Sequence, residues 1–261
     1  VYQYHPLFRE FLHTQLLQTV TPQDLAALHC RAAGLAEAAG NIEDAVMLWR
    51  EAGAWDEFTR CLCGSAQTLL KQGRSKLLVA WIEAIPPAHR DHHPWLLFWL
   101  GQSCLADNPA EARSHYEHAH ACFLSRQERD GALLAWAGIV DTIVHEYDDI
   151  TRLDPWIEWL NAQMVATAEL PAGAIGFRVI SSMAVALMFR RGRREEVQPW
   201  IERASGVLAQ LPDLSARCRL AVYLALYATW TGDLNRLETL ALDLHRWSQQ
   251  VQGGSRPGIE A

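Results

Sequence analysis

Glycine-centred breaks cut this chain into helix-sized segments at recurring intervals, and that spacing restricts the fold more than any other feature. Gly40 and Gly73 lie 33 residues apart, and Gly192 and Gly232 lie 40 apart. Each break closes one amphipathic stretch and opens the next. Two helices per period in this range is the pattern of an α-solenoid, whose units bury their apolar faces only against neighbours. An all-α chain of about six antiparallel helix pairs is expected, with an irregular bundle of the same helices as the alternative.

Boundary signals support the division. Thr21-Pro22-Gln23-Asp24 supplies an N-cap, a proline at the first helical position and an acid at the third. Leu25, Leu28, Ala32, Leu35 and Ala39 follow as the expected buried stripe. Pro86-Pro87 closes a second pair. Asn108-Pro109-Ala110-Glu111 reads as a capping box, with Ala112, Tyr116, Ala119 and Phe123 as the stripe behind it. A fourth pair is expected over about 130–168, restarting at Asp154-Pro155, a fifth over 173–211 and a sixth over 213–251. In the sixth, Leu214, Cys218, Ala221, Ala225 and Ala228 form a small-residue stripe suited to close packing. These pairs are of the tetratricopeptide kind, although the full consensus is missing. Residues 1–20 read as a linker, 21–251 as the helical array and 252–261 as a helix-breaking tail, past which the array is expected to continue.

Charge and composition exclude several functions. A formal charge of −7 opposes an extended DNA-binding surface, because phosphate contacts need clustered Lys and Arg. Six scattered cysteines form no CxxC pair, which suits free thiols in a reducing cytoplasm. No apolar run approaches the ~18 residues of a membrane span.

With the helix pairs in view, the opening "YHPLFREFL" takes on meaning. Together with "ALHCRAAGLAEAAGNIEDAVMLWREAGAWDEFTRCL" and "LLKQGR…LLVAWIEAIPP", it resembles the MalT-like family of bacterial ATP-dependent activators, STAND-type regulators ending in a LuxR-type helix-turn-helix. The resemblance is specific over residues 2–86 and general afterwards. It implies the end of a winged helix followed by a sensor region that binds a small inducer or protein effector, within a parent that self-associates when active. No GxxxxGK[ST] loop is present, so the resemblance implies a fragment without nucleotide domain or helix-turn-helix, and ATP or ADP would belong to the parent. The absent initiator Met fits the same expectation. In such ATPases a winged-helix His contacts the β-phosphate of ADP, and His5 stands where that residue would fall. A histidine packing beside a proline-started helix is the alternative. A general interaction scaffold of another signalling protein is the second functional reading.

No catalytic constellation emerges. His115, His118 and Cys122 share one helical face, but a zinc site needs ligands from more than one element, so a polar face is expected instead of a metal. "HEYDD" at 145–149 lacks the second His of HExxH and reads as a helix end. Glu195-Glu196 suit a helix N-terminus. "RRGRR" at 190–194 could grip an anionic effector, but reads first as a charged turn. Of the eleven tryptophans, Trp49, Trp81 and Trp200 fall on expected core stripes. First helices of tetratricopeptide pairs face the groove, which nominates Trp95, Trp99, Gln102, Trp136, Phe189, Arg190, Tyr223, Tyr227 and Trp230 as a ligand or partner surface.

Overall fold

The computed structural model describes Leu7 and residues 11–12, 14–15, 19–167, 169–190, 193–211 and 213–253. His5, the centre of the 190–194 basic turn and residues 254–261 lie outside the described residues. Every regular element among the described residues is a helix, and the chain divides between Ser103 and Cys104 into two compact units.

The first unit holds α1 (Pro22–Ala38), α2 (Ile42–Glu51), α3 (Trp55–Lys71), α4 (Ser75–Glu83), a short α5 (Pro87–Arg90) and α6 (Pro94–Cys104), which ends at the division. The Thr21 cap forms as read: its hydroxyl accepts from the Asp24 amide at 3.2 Å. Gly40 and Gly73 adopt φ of 79° and 72°, and the amides after them reach back to Ala36 and Leu69 at 2.8 and 2.9 Å. That left-handed closure recovers orphan carbonyls and turns the chain into the next helix. One apolar core follows, from Val46 and Trp49 through Phe58, Leu62 and Leu69 to Leu78, Trp81, Ile82 and Leu96.

Helix α1 departs from its expected stripe. Ala33 is its buried residue, while Leu35 is 74% exposed and Ala32 and Ala39 are also exposed. The helix is rich in Ala and Leu on every face, so apolarity alone did not fix which side turns inward. The contacts with α2 select the side carrying Ala33 and Ala36.

The second unit holds α7 (Pro109–Ser125), α8 (Arg129–Glu146), a 3-10 turn (Ile150–Leu153), α9 (Asp154–Thr167), α10 (Ala174–Phe189), α11 (Arg194–Leu208), α12 (Leu214–Thr231) and α13 (Leu234–Gly253). The Asn108 side chain accepts from the Glu111 amide at 3.3 Å, forming the cap, and donates to the Glu111 carboxylate at 2.9 Å; the reciprocal half of a capping box does not form, because the Asn108 backbone N–H donates to the Cys104 carbonyl at 2.8 Å. Ala112, Tyr116, Ala119 and Phe123 are all fully buried, as their spacing requires. They meet α8 at two glycines. A Cβ on Gly138 would lie 2.7 Å from the Tyr116 ring, and one on Gly131 would lie 2.4 Å from Phe123. Both pairs step by seven residues in opposite directions, the register of an antiparallel hairpin.

Helix α8 is buried along most of its length, with α7 on one side and α10 on another. Residues 130–168 hold the two helices read from sequence, α8 and α9, and the second starts at Asp154 as expected. Tyr147 leaves α8 in the left-handed region, φ 50°, and the 3-10 turn carries the chain away before α9 begins. The Trp136 indole then pins α9 by donating to the Trp156 carbonyl at 2.8 Å. Helix α10 packs on α12, so α8, α10 and α12 succeed one another as first helices of the array.

Candidate recognition surface

Two ladders run across α8, α10 and α12. The first is aromatic. Phe189, the last residue of α10, sits edge-on to Tyr147, Tyr223 and Trp230 at ring-centroid distances of 5.8, 5.9 and 5.9 Å. Edge-to-face pairs of this kind contribute about 0.5–1.5 kcal/mol each beyond burial. Tyr147 nevertheless stays 67% exposed and Trp230 51% exposed. Aromatic rings that hold one another in place while facing solvent form a rigid apolar platform, the residue class that dominates recognition energetics.

The second ladder is charged. Asp141 of α8 accepts from Arg178 of α10 and lies 3.5 Å from Arg219 of α12, so one carboxylate joins three first helices. Burial opposes the charge on Arg178, but the field of Asp141 and its hydrogen bond hold the guanidinium above its ordinary value. Tyr223 connects the ladders. Burial raises its phenol, reinforced by Asp141 and partly offset by Arg219 and Arg178. At the far end Arg190 forks onto both oxygens of Asp154.

Phe189, Arg190, Tyr223 and Trp230, nominated from sequence, thus fall in one neighbourhood. Trp136 does not reach its surface, being fully buried with its indole N–H committed to Trp156. Tyr227 turns the other way and donates to Gln198 at 3.2 Å. Trp95, Trp99 and Gln102 belong to the first unit, all half-buried. There Trp95 borders a cavity of 360 Å³ with Arg60, Cys63, His89 and His93, and Phe98 stacks edgewise between Trp95 and Trp99. Of the expected core tryptophans, Trp49 and Trp81 are buried, whereas Trp200 is half-buried under Arg203 at 5.0 Å.

Tyr147, Asp141, Arg178 and Arg219 escaped the sequence reading, although a signal existed. Tyr147, Phe189 and Trp230 are 42 and 41 residues apart, and Asp141, Arg178 and Arg219 are 37 and 41 apart. Those are repeat periods, and aligning the helix pairs on them would have brought both ladders out.

Among the described residues no three His, Cys, Asp or Glu side chains group to hold a metal, and His118 is exposed while His115 is half-buried. All six cysteines are free, with burial pushing the Cys63 thiol up to about 12 and Cys104 to about 11, far from thiolate reactivity at neutral pH. No described helix is long and apolar enough to cross a membrane.

Comparisons with known proteins speak to the fold. No protein-family model and no curated protein matches the sequence. A solved structure does: a chain from Podospora anserina assigned as a kinesin light chain with nearly identical tetratricopeptide-like repeats. It superposes with a TM-score of 0.51 at 16% identity, over 74% of this chain and 95% of that one. This protein accordingly has an all-α, tetratricopeptide-like solenoid fold.

Proposed function

We propose that this chain is the effector- or partner-binding sensor region of an ATP-dependent, LuxR-type transcriptional regulator, with no enzymatic activity of its own. The observation that carries the recognition half is the cluster of exposed Tyr147 and Trp230 around half-buried Phe189 and Tyr223, beside the Asp141–Arg178–Arg219 ladder. An apolar platform with a few oriented charges suits a protein segment or a small inducer. The regulator half rests on the resemblance of residues 2–86 to MalT-like activators. In that reading effector binding biases a cytoplasmic parent between an ADP-held resting form and a self-associating active form. His5 would be the ADP contact, and DNA would be bound elsewhere in the parent.

The tetratricopeptide-like fold favours a second reading equally: an interaction scaffold within another multidomain signalling protein. The full open reading frame separates the two. A phosphate-binding loop upstream and a helix-turn-helix downstream are expected for the regulator, and a kinase or cyclase domain in their place would overturn it. Under either reading the isolated 261 residues should hydrolyse no ATP, and a clear rate would contradict both.

A further inference from the structure

Residues of α7, α8, the 3-10 turn and α9 line an open cleft of 490 Å³. That volume lies in the range of small-molecule sites. Trp156 and Trp159 of α9 form its aromatic wall, with Ile143 and Pro155 completing the apolar lining. Behind the indoles lies His120, 5% exposed, with ring centroids 5.3 Å from Trp156 and 4.6 Å from Trp159. Its Nε2 is buried and unpartnered. An unmet buried nitrogen beside a cleft is a feature a folded chain tolerates only at a cost, and it marks this wall as unlike ordinary core.

The charges on the cleft fall into two groups of opposite sign. Arg113 and Arg152 converge on the single carboxylate of Glu146, Arg113 closely and Arg152 at 3.5 Å. Two guanidiniums on one carboxylate leave a net positive charge, and Arg152, 46% exposed, keeps donors to spare. Glu117 lines the cleft from α7 with no cationic partner among the described residues.

We infer that this cleft binds a free α-amino acid with an apolar or aromatic side chain. Its carboxylate meets Arg152 and Arg113, its ammonium meets Glu117, and its side chain lies on Trp156 and Trp159. A simple anion would satisfy only one of the two charge groups, and a simple cation only the other. The site is lined by residues other than those of the aromatic platform, so its failure would leave the proposed recognition surface standing.

The test is calorimetric titration of the whole chain with the twenty L-amino acids, followed by paired probes for an aromatic binder: L-phenylalanine, 2-phenylethylamine and 3-phenylpropionate. At least one apolar amino acid should saturate, binding about tenfold or more tightly than its decarboxylated and deaminated counterparts, as lost charge-assisted hydrogen bonds imply. Arg152→Ala should erase the preference over the amine, and Glu117→Gln the preference over the carboxylate. Both side chains are surface-exposed, so melting temperatures should hold. No saturation below about 10 mM, an affinity too weak to be specific, would overturn the inference. Unchanged preferences in both variants would overturn it equally.

Discussion

In the first unit Phe58, Trp49 and Trp81 fill a closed core, and charged residues decorate its edges as pairs such as Arg60–Glu37, 2.7 Å on both prongs. In the second unit Tyr223 and Trp230 each pack edge-to-face on Phe189, and Asp141 joins Arg178 and Arg219 across three helices. Gly131 and Gly138 of the second unit lie beneath the Phe123 and Tyr116 rings, whereas the exposed Gly34 and Gly64 of the first unit and Gly206 of the second have nothing near a Cβ. Both units thus pack helix pairs around a core, and the second adds a part-exposed aromatic cluster and a carboxylate shared between two guanidiniums.

The largest way to break this contrast is Phe58→Ala. It removes a fully buried ring from the first unit and should cost about 3–5 kcal/mol by denaturant unfolding, with little effect on the second unit's near-surface aromatics. Next is acid. Burial lowers His120 to about 4, so this ring stays neutral in the folded unit while in the unfolded chain it takes up a proton below about 6.5. Stability is therefore lost as pH falls from about 6.5 towards 4, by up to about 3 kcal/mol, and His120→Phe should remove that slope. The first unit's Glu37 runs later. The hydrogen bond from Arg60 holds its carboxyl below 4.5, so its contribution is intact above that value and fades only in stronger acid. Unfolding measured at pH 7, 5.5 and 4.5 resolves the two.

Smaller and opposite in sign are two glycine substitutions. Gly138→Ala should destabilise by about 1–3 kcal/mol, since its methyl would press on the Tyr116 ring. Gly64→Ala, in mid-α3 with nothing near its missing Cβ, should stabilise by about 0.5–1 kcal/mol through helix propensity. Thermal melts of the two variants check the difference, and equal signs would contradict the close approach of Tyr116 to Gly138.

What sequence could show depended on how local the cause was. The Thr21 and Asn108 caps and the Gly40 and Gly73 closures are short-range chemistry, and each forms as its residues dictate. Helix facing was legible where the stripe was sharp, as at Tyr116 and Phe123, and not in α1, where Leu35 points outward from an apolar-all-round helix. His120 shows the limit within one helix. His115, His118 and Cys122 drew notice by their spacing, yet the histidine on the buried side is the one four residues past Tyr116. Arg178 and Asp141, 37 residues apart, meet only because α8 and α10 pack, which no local pattern announces.

The central claim is that recognition resides in the second unit's aromatic platform. It is tested most directly by the effector-dependent response of the intact parent protein with Phe189→Ala and Trp230→Ala together. The control is Leu35→Ala with Met47→Ala, exposed apolar residues of the first unit. The account predicts that the platform variant loses the response with a folded, cooperative melt, while the control keeps it. A platform variant that responds like the control would contradict it.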